Sequence, residues 1–338
     1  MDDDLWTAHA FIVYSCSGLP PCGTAQLRAN DDIDIAKCHQ LSISENPRKT
    51  GGTYPEGIKS HTHYKMTSSN ANIDATWSLT EHLLESNQAS YQAATQSPFL
   101  LAAAQGRLSK ELLGRWLAND RLYIHSYIKA AGRVLDAVDL DQTSPAAESS
   151  PEAELVGWVV EALVGLRREE VMFADVARRY GLDLALDASP DDPRRVLQSA
   201  KLPGLVQFEA LFASVLPRDA AAAAAPTPAW LEAAVLLWGT ERIYLDAWSW
   251  ARAQRPGKGE DADGGAVRRE FMPNWTNPEF AAFVSRLGRT LDRAVGQALA
   301  AVDPPQRQAV QAGIVERTAG TWNALLAAEA AFWPGVDG

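Results

Sequence analysis

Three carboxylates in this 338-residue sequence stand inside aromatic stripes. Asp120 falls among Leu113, Trp116, Leu117, Tyr123, Ile124 and Tyr127. It lies four residues after Trp116 and four before Ile124, a spacing that puts side chains on one face of a helix. Glu241 is the single charge in the stripe Ala234, Leu237, Tyr244, Trp248, and Glu329 is flanked by Trp322, Leu325, Leu326, Phe332 and Trp333. A carboxylate on a core-facing stripe is costly unless it is paired or serves a ligand. Two readings are therefore open at each position. One is a structural bond to a tyrosine, a backbone amide or an arginine such as Arg242. The other is a shared pocket: if the three faces meet, they form an acidic cavity with aromatic walls. Such a cavity suits a flat amine or amidine-like molecule, whose N–H groups the carboxylates accept while rings stack on it.

Other residues point to chemistry less directly. Glu169 and Glu170 follow Arg167 and Arg168, a charge run that reads as a solvated helix face. His82 and His125 are the only histidines after residue 63. His82 could carry haem iron, which keeps an oxygenase as a third reading, but two histidines are too few for a helical di-iron site. No glycine-rich phosphate loop, GxSxG elbow or HExxH pair occurs. All three cysteines lie in the first 38 residues, which excludes a cysteine nucleophile, a thiolate metal site or a disulfide framework from the rest of the chain. No cofactor and no metal are expected.

The elements that must position these residues begin late. Residues 1–65 show neither helical nor strand periodicity, are rich in Gly, Pro, Ser, Thr and Asn, and hold four of the six histidines. Cys16, Cys22 and His61 or His63 match no regular zinc spacing. This stretch reads as a disordered leader, and Met66 reads as the start of the native protein. From Thr76 to Trp333 capped helical patterns follow one another. Ser109 opens the helix that carries Asp120. Ser150-Pro151 opens another, which Gly181 closes. Pro203-Gly204 precedes a short helix over 206–216, and Ala220–Ala225 reads as a connection. Thr227-Pro228, Asn277-Pro278 and Asp303-Pro304 open the last three, each with a capping side chain before a proline in the first turn. A Gly- and charge-rich loop spans 255–265. No strand is evident, so residues 76–335 are expected to form one all-α domain.

With 31 Lys and Arg against 42 Asp and Glu, the formal charge is −11. That balance argues against a nucleic-acid partner, which needs a basic face. No apolar run approaches the ~18 residues of a membrane span. The amino terminus is acidic where a secretory signal is basic. A cytoplasmic location without a membrane or nucleic-acid partner is the expectation.

Several phrases taken in order resemble the TenA/thiaminase II family. Ser97-Pro98-Phe99-Leu100, Gly106-Arg107-Leu108 and the helix with Asn119-Asp120-Arg121-Leu122-Tyr123 are similar to that family's opening. Glu329-Ala330-Ala331-Phe332-Trp333 is similar to its terminal "E..FW". The resemblance covers roughly residues 76–335. It implies a haem-oxygenase-like multi-helical bundle without haem, a homo-oligomer, and hydrolysis of a C–N bond in a pyrimidine-like amine of thiamine salvage. Carried over by position, Asp120 binds the pyrimidine edge, Tyr123 stands one turn on, and Glu329 shuttles protons. The chain also departs from the family. The usual catalytic cysteine falls on or beside Thr240, one family tyrosine becomes Gln207, and another becomes about Glu279, which at the second position of its helix also fits a capping role. The expected site is therefore Glu329 and Glu241 as catalytic acid and base, with Asp120, Tyr123, Thr240, Tyr244 and Gln207 binding substrate. The alternative is a non-catalytic relative that binds a small amine or acts in assembly.

Overall fold

The computed structural model describes residues 77–143, 149–215 and 227–336. The expected leader, the Met66 start and the Ala220–Ala225 connection lie outside the described residues. Within them the chain forms α1 (Leu79–Glu85), α2 (Gln88–Thr95), α3 (Pro98–Ala104), α4 (Lys110–Ala137), α5 (Pro151–Tyr180), α6 (Pro203–Ala213), α7 (Leu231–Ala253), α8 (Met272–Trp275), α9 (Pro278–Ala300) and α10 (Pro304–Phe332). The one β-like pairing among the described residues is an isolated bridge between Ala188 and Val196. The all-α expectation holds. No helix among the described residues is long and apolar enough to cross a membrane.

Local chemistry sets most boundaries. The Ser109, Ser150 and Asn277 side chains accept the backbone N–H of Leu112, Ala153 and Phe280 at 3.2, 3.1 and 2.7 Å, closing the starts of α4, α5 and α9. Gly181 ends α5 in the left-handed region (φ 67°), where a side chain would be strained, and Leu182 N–H returns to Ala177 C=O at 2.9 Å. Two starts differ from the sequence expectation. α6 begins at Pro203, three residues early, because Leu202 N–H is held by the Asn119 Oδ1 of α4 at 2.8 Å and proline sacrifices no N–H in a first turn. α7 begins at Leu231 rather than after Thr227, whose hydroxyl is taken by Arg317 of α10.

The long helices pack as a bundle. α10 lies against α6, α7 and α2; α4 against α6 and α5; α9 against α5 and α7. Gly204 at the start of α6 allows backbone-to-backbone contact with α10, since a Cβ there would meet Phe332 N and Ala328 O. The core holds Trp116, Trp248, Trp322, Phe99 and Phe208, all under 2 % exposed. Trp116 joins three helices, stacking on Trp333 with centroids 5.8 Å apart and meeting Trp275 edge-on at 5.8 Å. Val267–Phe271 forms a π-helical turn leading directly into α8 and Trp275.

Candidate functional site

A cavity of about 540 Å³ opens between α4, α5, α7, the α8 turn and the start of α9. Asp120 and Tyr123 reach it from α4, Thr240, Glu241 and Tyr244 from α7, and Glu169 from α5. Trp275, Phe280 and Phe283 make an aromatic wall. The floor beneath is rigid: Trp275 packs on Trp248 with centroids 4.6 Å apart and on the Tyr244 ring at 5.3 Å. The periodicity that placed Asp120 and Glu241 on aromatic stripes thus brings their faces together.

Asp120 is 5 % exposed and accepts one long hydrogen bond from the Tyr244 hydroxyl, at 3.4 Å. Burial, then the charges of Glu169 and Glu329, push its carboxyl well above the usual range, against the Tyr244 bond. Burial raises Glu241 to about 8, with Glu169 adding to the rise and the neighbouring Tyr127 hydroxyl opposing it. Glu329 is 3 % exposed and accepts no hydrogen bond from the described residues. It is raised to about 8 by burial and then by Glu241. It stands behind the lining rather than on it, close enough for Asp120, Tyr123 and Glu241 to feel its charge. Burial raises Glu169 to about 7, and the Trp275 indole N–H, donating to it at 2.6 Å, partly offsets this. None of the four carboxylates forms an ion pair among the described residues. Arg242, a possible partner for Glu241, instead bonds Asp246 at 2.8 Å.

Thr240 is 1 % exposed, and its hydroxyl donates to Leu237 C=O one turn back at 2.8 Å. Gln207 is exposed on α6 and does not line the cavity, so the expected tyrosine equivalent contributes nothing there. Glu279 is exposed at the mouth, in the first turn of α9. His82 lies away from the cavity on α1, its ring 6.0 Å from Trp77, and offers no axial position over it. Among the described residues no group of three or more His, Cys, Asp or Glu is arranged to hold a metal ion.

Glu169 corrects the sequence reading. The Arg167–Glu170 run faces outward at three of its four residues: Arg167 pairs with Glu170, which also meets His125 Nε2 at 2.9 Å. Glu169 turns inward. The signal was present, because Ala162, Leu166, Glu169, Phe173 and Val176 recur at helical spacing and the other four are buried.

Comparison with known proteins bears on the fold. No family model matches the sequence. A TenA homologue from Pyrococcus furiosus superposes with a TM-score of 0.51 at 18 % identity, over 75 % of this chain and 97 % of that one. A TenA homologue from P. horikoshii gives 0.45 at 14 % identity, over 75 % and 97 %. The fold is all-α and haem-oxygenase-like, of the TenA type. A Fusarium pseudograminearum protein described as a probable transcription factor is 24 % identical over 237 residues, 61 % of this chain. The chain spans only 43 % of that relative's length.

Proposed function

We propose that this cavity binds a flat, pyrimidine-like amine and hydrolyses one of its C–N bonds, as in thiamine salvage, without a thiol nucleophile or a cofactor. The observation that carries the reading is the convergence of Asp120, Glu169, Glu241 and Glu329 with no ion pair to any of them among the described residues. A ligand rich in N–H donors supplies what the protein withholds. The TenA-type fold and the order of the sequence phrases support the choice of a pyrimidine ring, and a homo-oligomer belongs to the same proposal.

In this scheme Asp120, whose raised carboxyl favours the neutral form in the empty cavity, passes its proton to a ring nitrogen of the ligand and as a carboxylate accepts the ring N–H groups by charge-assisted bonds, while Tyr123 and Tyr244 bound the ring. Glu241 and Glu329 share one proton because each charge disfavours the other. Ionised Glu241 takes a proton from water as the water oxygen bonds to carbon. The C–N electron pair leaves with nitrogen, which takes the proton of Glu329. The products are an alcohol and an amine, and passage of a proton from Glu241 to Glu329 restores the start. Thr240 shapes the wall. Its hydroxyl is committed to Leu237 C=O, and no base frees it for attack.

The same commitment of Thr240 favours a second reading, a binding protein that does not turn its ligand over. Calorimetric titration with an aminopyrimidine, together with an assay of amine release, separates the two. Asp120→Asn should weaken binding by about 1.5–3 kcal/mol. Glu329→Gln should leave binding nearly intact and slow amine release by about 10²–10⁴-fold. Tight binding to the unaltered protein with no amine released establishes the second reading. Equal loss of stability in both variants, with binding untouched, rejects both.

A further inference from the structure

We propose that Glu169 makes the cavity selective for a ligand bearing a positive charge, receiving an ammonium group on the α5 side while Asp120 holds the ring from α4. This deepens the proposed function and rests on its placement of the ligand. Three observations carry it. Glu169 lines the cavity from a different helix than Asp120, Glu241 or Glu329, so it offers a second, separate point of attachment. One of its oxygens, Oε1, is fixed by the Trp275 indole N–H at 2.6 Å, and no bond from the described residues takes the other. The aromatic wall of Trp275, Phe280 and Phe283 lines the same cavity and lowers its local polarity, which strengthens an ion pair formed at Glu169, although the Trp275 ring stacks on Phe271 and the Phe283 ring on Trp158 with Arg286 over it.

The surroundings leave that charge to the ligand. Arg168 is the single cation on the lining; it is exposed and makes no ion pair with Glu169 among the described residues. Buried nearby, Glu329 accepts no hydrogen bond from the described residues, so the cavity holds more acceptors than the fold satisfies. At about 540 Å³ the space also exceeds one pyrimidine ring, leaving room for a charged substituent directed toward α5.

The test compares amine and alcohol forms of one ligand on the full chain. The probes are an aminomethyl- and a hydroxymethyl-aminopyrimidine, with benzylammonium and benzyl alcohol as a second pair lacking the pyrimidine edge. The unaltered protein should prefer the amine of each pair by tenfold or more, as for a hydrogen bond between charged groups, about tenfold at least. Glu169→Gln keeps an acceptor for Trp275 and should erase that preference while leaving alcohol binding unchanged and the melting temperature no lower than that of the unaltered protein. Glu170→Gln, on the neighbouring outward-facing carboxylate, should leave the preference intact. Retention of the preference in Glu169→Gln, or equal weakening of amine and alcohol, overturns the inference. So does failure of the unaltered protein to bind either amine. If benzylammonium shows the Glu169-dependent preference and neither pyrimidine binds, the pyrimidine reading fails and the role of Glu169 stands.

Discussion

Glu232 and Glu241 stand on one helix, nine positions apart, and are treated in opposite ways. Glu232, near the start of α7, is clasped by Arg317 of α10, whose Nε and Nη2 donate to its two oxygens at 2.7 and 2.8 Å. The same guanidinium reaches the Thr227 hydroxyl and ties the entry of α7 to α10. Glu241, two and a half turns on, meets no cation, although Arg242 is adjacent in sequence and bonds Asp246. This fold is able to neutralise its inward carboxylates. It satisfies Asp292 too, by neutral donors: that carboxylate accepts Ser78 Oγ, Thr80 N–H and Thr80 Oγ1 at 3.0, 3.0 and 2.7 Å. Charges left alone at the cavity are thus a local property of the cavity and no general slackness of packing. One region spends its charges on holding helices together, and the other keeps them for something that arrives from outside.

The strongest way to break the contrast is to remove the cation at the paired end. Arg317→Met takes from the half-buried Glu232 the guanidinium that meets both its oxygens and should lower unfolding free energy by about 1.5–3 kcal/mol, measured by urea denaturation. Removing charge at the cavity should act in the other direction. Glu241 and Glu329 titrate near 8 and Glu169 near 7 in the folded chain, above the ordinary 4.5. The folded state then binds protons more tightly than the unfolded one. Its stability is present in full below about pH 4.5 and is lost as pH rises toward about 8. The melting temperature of the ligand-free protein should therefore fall between about pH 5 and pH 8. A Glu241→Gln, Glu329→Gln double variant should flatten that slope, and an unchanged slope would refute the burial of these charges. A smaller effect tests the frame around them. Gly204→Ala forces α6 away from the backbone of Ala328 and Phe332, on either side of Glu329, and should cost about 1–3 kcal/mol by the same urea measurement. The smallest effect expected is none: iodoacetamide should leave ligand binding unchanged, because no cysteine follows Cys38.

Much of this arrangement was legible residue by residue. Ser109, Ser150 and Asn277 announce their helices because a cap is a contact within three residues of sequence. The stripes around Asp120 and Glu241 are legible for a similar reason, since helical periodicity reports which way a side chain faces. Periodicity does not say which stripe meets which. Trp275 and Glu169 lie 106 positions apart, and their bond depends on how α5 and the α8 turn pack. Glu169 was further hidden by its neighbours, three charged residues that do face outward. Gln207 shows the reverse error, a position inherited from a resemblance that the rotation of α6 carries out to solvent. The start of α7 shifted because Thr227 serves a distant arginine rather than its own helix, a choice made by α10.

The π-helical turn at Val267–Phe271 divides the approach to the cavity into a stretch that can absorb a change of chain length and a stretch, α8, that cannot. Such a turn carries one residue more than an α-helical turn. The wide turn absorbs its extra residue by underwinding, so a deletion within it leaves Trp275 pointing as it does, whereas a deletion after it, between Met272 and Asn274, has nothing to absorb it and would rotate Trp275 by about 100° about the axis. Trp275 would swing off Glu169, and the aromatic floor under Tyr244 would open with it. Such a deletion of one codon, with no substitution of any residue in the cavity, would thus unlock the α5 carboxylate and change which molecules fit. In this protein the spacing of the backbone is as much a part of the recognition surface as the groups that line it.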